Sequence, residues 1–283
     1  MKILITGANG MLAKAVREEL KENELICTDV ADLDITNLEA VKEYAKEVKP
    51  DYIINCAAYT AVDKAEENEE LVYKINAIGP KNLAIAAQEN DAVLVHISTD
   101  YVFGGEKDVS EDYSEDDEKD PQAVYGTTKL AGEKFIEENC KKFYIFRTAW
   151  LYGEGHNFVR TMINLSKEHD EVKVVNDQHG SPTYAVDLAS IIHQAIEKQI
   201  PFGIYNSTNI GYTTWFDFTK MIYELEGIKC KVTPVTSEEF KSAAKRPKNS
   251  QMSKDKLLKY GIEVPTYEDA LKRYLKTEHE KNN

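Results

Sequence analysis

The chain predicts an α/β protein: a doubly wound parallel sheet carrying a smaller α/β substrate lobe interleaved with it in sequence. Three observations lead there. Short β-rich runs alternate with helical segments of ten or more residues through the first 150 positions, the pattern of parallel strands joined by right-handed crossovers. Several of these runs, such as DYIINCAA (51–58) and AVLVHIST (92–99), are almost continuously apolar, as strands covered on both faces must be. The first run ends in a glycine turn that opens directly onto a helix.

Each element has a local reason. KILIT at the N-terminus is β-rich and stops at glycine; 11–22 has helical composition; 24–29 is the next strand. Residues 38–48 form a helix that Pro50 ends, and 51–58 form the third strand. A helix over 71–90 contains Pro80, which should bend or divide it. The fourth strand is 92–99, followed by a helix at 123–139 and a strand at 142–150. After Trp150 the pattern changes: a helix at 157–169, a short strand from 171, a polar turn at 177–183, an amphipathic helix at 185–199 and a strand from 203. Residues 211–283 mix helices with Pro-containing loops, and Asn282 and Asn283 read as a frayed tail. We divide the chain into a main domain, 1–155 with about 185–210, and a smaller lobe, 156–184 with 211–283.

Bulk properties narrow the function. A net charge of −14 over 283 residues leaves no basic stripe for nucleic acid. No apolar run approaches the roughly 18 residues that span a bilayer, so a membrane is not an expected partner. The N-terminus has no signal-peptide pattern, and a cytoplasmic location is expected. Cys27, Cys56, Cys140 and Cys230 are scattered without a CxxC, pointing to reduced thiols rather than disulfides or a zinc site; no metal ligands are assigned. The acidic run from Glu111 to Asp120 (EDYSEDDEKD) reads as a solvated loop.

The glycine turn has a specific use. A strand that ends in glycine and opens onto a helix presents free backbone N–H groups at a positive dipole end, a site for a pyrophosphate. Gly7 permits the tight turn, Gly10 lets the backbone approach the phosphates, and Ala13 keeps helix and strand close, as in a Rossmann dinucleotide-binding unit. Asn9, Met11 and Leu12 lie in the same turn and helix start. The spacing is GxxGxxA rather than GxGxxG. Asp29, 22 residues beyond Gly7, stands where a carboxylate accepts from an adenosine ribose and repels a 2′-phosphate, so NADH should be accepted. A strand-end cap is the other reading of Asp29. Asp34 and Ile35 are placed to flank the adenine, and Ala57 and Ala58 give a small-residue floor beneath the cofactor.

Tyr125 and Lys129 lie four apart, on one face of a helix. The ammonium should lower the phenol's pKa from about 10 and make it a usable proton donor or acceptor. Thr99 ends the fourth strand, where reactive groups gather in such sheets. Its hydroxyl is placed to hydrogen-bond a substrate carbonyl, although a strand-ending turn explains it equally well.

Together these residues resemble the extended short-chain dehydrogenase/reductase superfamily. The segments CAAYTAVDKAE (56–66), STDYVFGG (98–105), VYGTTKLAGE (124–133), RTAWLYG (147–153), DQHGSPT (177–183) and RPKNSQM (246–252) resemble the dTDP-4-dehydrorhamnose reductase family within it, over nearly the whole chain and in order. The resemblance implies reduction of the C4 ketone of a nucleotide-linked 6-deoxy sugar by NADPH or NADH. Tyr125 would supply the proton, Lys129 would tune it and hold the nicotinamide ribose, and Thr99 would orient the carbonyl. Matching positions place Ala57, Ala58 and Thr60 beside the cofactor, Asn76 on a proton path, and Val62, Asp100 and Trp150 near the sugar. Trp150 suits stacking on a sugar face, or a core position. Arg246 suits pairing with a diphosphate, or an exposed loop. Relatives that dehydrate sugars carry Thr-Asp-Glu at this strand end; here Thr99-Asp100-Tyr101 lacks the glutamate and leaves ketone reduction. The acidic run lengthens the segment between Thr99 and Tyr125, and its self-repulsion would hold a lid open. The resemblance leaves open a structural Mg²⁺ and a monomer or homodimer. It extends to two alternatives: a non-catalytic, dinucleotide-binding regulatory subunit like that of methionine adenosyltransferase, and a reductase of another nucleotide-linked 4-keto sugar.

Overall fold

The computed structural model describes residues 1–281; the tail expected at Asn282 and Asn283 lies outside them. The first half runs β1 (Lys2–Thr6), α1 (Met11–Glu19), β2 (Glu24–Thr28), α2 (Leu38–Val48), β3 (Tyr52–Asn55), α3 (Val62–Ala65), α4 (Glu69–Tyr73), α5 (Gly79–Glu89), β4 (Val93–Thr99), α6 (Val124–Asn139) and β5 (Phe143–Thr148). Then come β6 (Leu151–Tyr152), α7 (Phe158–Glu168), β7 (Glu171–Val175), β8 (His179–Gly180), β9 (Thr183–Tyr184), α8 (Ala185–Glu197) and β10 (Gly203–Asn206). The last stretch holds β11 (Thr213–Thr214), α9 (Trp215–Glu226), β12 (Lys231–Val235), α10 (Ser237–Phe240), α11 (Asp255–Lys259) and α12 (Tyr267–Lys281).

Six strands form one parallel sheet in the order β10-β5-β4-β3-β1-β2. The order reverses between β1 and β3, which opens a crevice at their carboxyl ends. Side-chain alternation explains the apolar runs. Ile3 and Ile5, Ile54, Val93 and Val95, and Tyr144 and Phe146 point to one face, beneath α1 and α8. Leu4, Ile53, Leu94 and Ile145 point to the other, beneath α2, α5 and α6. With period two and both faces covered, every position must be apolar.

A separate core of Tyr152, Val159, Val174, Phe218, Ile222, Leu271 and Tyr274 holds together the helices and short strands of the smaller lobe. The chain does not keep the two regions apart. Leu257 and Ile262, within the stretch that the sequence division gave to the smaller lobe, pack instead into the main-sheet core beside α8.

The segment around Pro80 departs from the expected helix in an informative way. Residues 74–78 form a π-helical turn between α4 and α5, and Pro80 sits in the first turn of α5. Pro80 has no N–H to donate to the carbonyl four residues back, and its ring crowds that oxygen. That carbonyl belongs to Asn76, and Gly132 of α6 packs directly over it; a Cβ on Gly132 would lie 2.3 Å from Asn76 O. The proline widens the turn, and the glycine lets α6 close over it.

The acidic run is the expected solvated loop only in part: Glu111, Asp116, Glu118 and Asp120 are exposed, but other side chains pin the segment to the protein. Tyr113 and Glu115 within it are buried. Tyr113 stacks on Phe103 at 4.5 Å between ring centroids. Glu115 accepts from the backbone N–H of Asn206 at 2.8 Å and gives its own carbonyl to Arg147 at 3.1 Å. The side chain of Asn249 donates to the carbonyls of Asp108 and Glu111. Charge alternation with buried side chains, rather than net charge, decides this segment. No helix of the described residues is long and apolar enough to cross a membrane. Among them no group of three or more His, Cys, Asp or Glu side chains is arranged to hold a metal ion. All four cysteines are free thiols.

Candidate active site

A cavity of about 470 Å³ opens at the carboxyl ends of β1, β3, β4 and β5, at the point where the strand order reverses. Its floor comes from the turn after β1 (Gly10, Met11, Leu12) and the loop after β3 (Ala57, Ala58, Thr60). Gly7 makes that junction possible. Its φ of +65° is a left-handed conformation, and a Cβ there would lie 2.6 Å from Ala57 N. Two loops that must meet below a ligand can do so only without a side chain at this point. The carboxylate of Asp29, at the end of β2, accepts from Asn9 N at 3.2 Å and from Val30 N at 2.8 Å, so it ties the second strand to the glycine turn.

The wall holds the reactive groups. Tyr125 and Lys129 face the cavity from the first two turns of α6, and Thr99 faces it from the end of β4. The neighbouring Thr99 hydroxyl favours the ionised form of the Tyr125 phenol, against the larger effect of burial. Thr99 Oγ1 donates to Asp100 Oδ1 at 2.9 Å and accepts from Tyr101 N at 3.2 Å. Asp100 also accepts from Ser250 Oγ at 2.5 Å, which fastens the C-terminal segment to the catalytic strand. Burial pushes the Asp100 carboxyl up to about 6 despite these hydrogen bonds.

One expectation is corrected here. Lys129 does not depress the phenol of Tyr125. Burial raises the Tyr125 pKa, and the neighbouring Asp100 charge raises it further. The Lys129 ammonium position is engaged elsewhere, 2.5 Å from Ile97 O and 3.3 Å from His96 Nε2. Burial brings Lys129 itself down to about 8, against the opposing pull of the Glu133 carboxylate. In the ligand-free geometry the pair shares a cavity without sharing a proton.

The remaining candidates divide. Val62, Asp100 and Trp150 line the cavity. Trp150 has φ +51° and stacks on Trp215 at 3.6 Å between centroids, so α9 of the smaller lobe covers one indole face. Asn76 is buried with its amide spent on the backbone of Tyr59: Tyr59 N donates to Oδ1 at 2.8 Å, and Nδ2 donates to Tyr59 O at 3.0 Å. It clamps the loop after β3. The Ile35 side chain packs into the core against Gly79, and Asp34 caps its own turn by accepting from Thr36. Neither lines the cavity. Arg246 does not line it either; its guanidinium pairs with Asp63 at 2.7 Å and reaches Tyr101 Oη at 3.5 Å.

Sequence reasoning missed several wall residues. His156 lines the cavity from the loop before α7. Ser98 and Thr148 line it as well, and their hydroxyls are buried with no partner. A side chain's lack of partners leaves no trace in composition or spacing, so nothing in the sequence could have singled them out. The cradle at Gly7, the polar wall and the helix N-terminus fit a pyridine dinucleotide.

Comparison with known proteins agrees with this geometry. The family model described as the RmlD substrate binding domain matches residues 1–280. A dTDP-4-dehydrorhamnose reductase from Clostridium acetobutylicum of known structure is 52% identical, with a TM-score of 0.96, over 99% of this chain and 100% of that one. The dTDP-4-dehydrorhamnose reductase of Bacillus anthracis, solved in complex with NADP, is 45% identical with a TM-score of 0.93, over 97% of this chain and 99% of that one. The dTDP-4-dehydrorhamnose reductase of Escherichia coli K12 is 39% identical over 97% of each chain. On the full-length match and these identities, the chain belongs to the RmlD substrate binding domain family.

Proposed function

We propose that this protein reduces the C4 ketone of dTDP-4-dehydro-L-rhamnose to give dTDP-L-rhamnose, using NADPH or NADH. The observation that carries the reading is the meeting of Tyr125, Thr99 and Lys129 in one cavity with the glycine turn. Support comes also from the relatives named above, one of which holds NADP. A bound reduced dinucleotide supplies the hydride. Gly7, Gly10 and Asn9 would receive its pyrophosphate, Asp29 its adenosine ribose, and Ala57 and Ala58 would lie beneath it.

The chain's own groups supply the proton and its control. Tyr125 is the acid. Burial and the Asp100 charge keep its phenol protonated, so it has a proton to give to the carbonyl oxygen as negative charge develops there. Thr99 stands on the same wall as the phenol, its own hydroxyl donating to Asp100. The Lys129 side chain lies within the same wall to hold ligand hydroxyls. Val62, Asp100 and Trp150 would border the sugar, and Arg246 at the mouth would exchange Asp63 for a diphosphate oxygen. The main domain, 1–155 with about 185–210, would hold the dinucleotide and the rest would hold the nucleotide sugar. The reading goes with action in the cytoplasm, as a monomer or homodimer.

The test is oxidation of NADPH and of NADH, followed by nicotinamide absorbance, with dTDP-4-dehydro-L-rhamnose and with its UDP-linked counterpart. Turnover with the dTDP sugar is expected. Dinucleotide binding without oxidation on any 4-keto sugar would favour a non-catalytic regulatory protein instead.

A further inference from the structure

Behind Lys129 lies a buried file of side chains that the mechanism above does not use. Asn55, His96 and Lys129 are 1%, 0% and 2% exposed, so each must match donors to acceptors inside the protein. The polarity of the file is fixed from one end. Ala57 N donates to Asn55 Oδ1 at 3.1 Å, and a backbone N–H cannot reverse its role. Thr6 Oγ1 donates to the same oxygen at 2.7 Å. Asn55 Nδ2 is thereby the atom 3.0 Å from His96 Nδ1, and as a donor it requires that nitrogen to be bare. The neutral imidazole then carries its proton on Nε2, which faces Lys129 Nζ at 3.3 Å.

An ammonium has three donors and no acceptor. Charged, Lys129 would set N–H against N–H. Turning the Asn55 amide only moves the mismatch to Ala57 N. A neutral amine removes it: the lone pair accepts from His96 Nε2–H, and an amine N–H donates to Ile97 O.

We infer that His96, oriented by Asn55, is a positioning residue that holds Lys129 as a neutral amine in the ligand-free site, so that dinucleotide binding draws a proton from solvent onto Lys129 Nζ. The inference rests on the dinucleotide-binding reading of Proposed function. The balance is simple: ligand hydroxyl oxygens draw Lys129 Nζ away from His96 Nε2–H, one solvent proton becomes one N–H bond of the ammonium, and those oxygens accept from it. The surroundings agree. Burial lowers Lys129, while the Glu133 carboxylate on the same helix pulls it up. Arg147 from β5 holds the Glu133 carboxylate in a two-pronged pair at 2.9 and 2.7 Å. Burial keeps Cys56 a neutral thiol, up to about 12. Burial holds His96 well below the usual imidazole range, and a charge on Lys129 lowers it further, so it does not become a cation whichever form the amine takes. Tyr125, one turn earlier on α6, is held protonated by burial and by Asp100.

Two measurements decide it. The heat of NADPH and of NADH binding, taken in buffers of different ionisation enthalpy, counts protons taken up. NADH lacks the 2′-phosphate and so removes that group as a source. Uptake of most of one proton per site is expected at about pH 8.5, fading towards zero near about pH 6.5 as Lys129 is already charged there. In Asn55→Asp a carboxylate oxygen replaces the amide donor, the imidazole turns to its Nδ1–H form, and uptake should largely vanish. Imidazole ¹⁵N shifts of the unaltered, ligand-free protein read the His96 tautomer directly, even if that variant fails to fold. A proton on Nε2 is expected. Binding without proton uptake, uptake unchanged in Asn55→Asp, or a proton found on Nδ1 would each overturn the inference while leaving the reductase reading intact. Failure of either dinucleotide to bind would overturn both.

Discussion

The wall and the mouth of the cavity are built on opposite plans. The wall stands on regular elements: Thr99 ends a central strand, Tyr125 and Lys129 ride the first turns of a sixteen-residue helix, and the ion pair of Arg147 with Glu133 behind them is 1% exposed on each side. The mouth is held by more exposed and more distant contacts. Its pair of Arg246 with Asp63 has side chains 31% and 45% exposed, and Trp150 depends on Trp215 from the smaller lobe. Fixed geometry thus lies where a proton must move, and exchangeable contacts lie where a ligand must enter.

Tyr125→Phe should cut the wall's chemistry most deeply. Turnover is expected to fall by roughly 10²–10⁴-fold, with dinucleotide affinity kept, because one phenol is placed to give the proton. Near-normal turnover would remove Tyr125 from the mechanism. Next in size, Arg147→Met leaves Glu133 buried without its partner, which should cost about 3–5 kcal/mol in urea denaturation. A loss near zero would mean that the helix carrying Tyr125 and Lys129 does not depend on what lies behind it. Gly132→Ala pushes a methyl against Asn76 O and should cost about 1–3 kcal/mol, with turnover lowered as α6 shifts.

The pH dependence offers a finer test. The folded protein raises Asp100 from 3.8 to about 6, so it binds a proton that the unfolded chain releases. The contribution of this group is therefore fully present below its unfolded pKa and lost as pH rises through about 6. Relative to Asp100→Asn, the unaltered protein should gain in urea midpoint between pH 7 and pH 4. A parallel shift of the two proteins would show that Asp100 is not raised. The smallest effect on stability is expected at the mouth. Arg246→Ala should change stability by less than about 1 kcal/mol, since the pair is exposed. KM for the nucleotide sugar should nevertheless rise. If stability collapsed instead, the mouth would be as fixed as the wall and the contrast would fail.

The same contrast governs how much could be read from sequence. Near-continuous apolar runs and the glycine turn belong to regular backbone, and from them the parallel sheet and the placing of Gly10, Thr99, Tyr125 and Lys129 on one cavity were legible. What was not legible depends on partners far along the chain. Nothing near Asp100 announces Ser250, 150 residues away, and nothing near Arg246 announces Asp63. The acidic run read as a solvated loop because composition records charge, whereas Glu115 is buried through a hydrogen bond from Asn206. Spacing put Tyr125 and Lys129 on one helix face, yet only coordinates reveal that Lys129 turns towards His96.

The link from Ser250 to Asp100 also sets a schedule for synthesis. A ribosome delivers β4 and α6 long before residues 249–252, and until these emerge the carboxylate of Asp100 lacks its serine donor and Tyr113 lacks its bridge to Met252. The growing polypeptide therefore has its catalytic strand and helix before the segment that fastens Asp100, and Leu257 and Ile262, which pack into the main-sheet core, come later still.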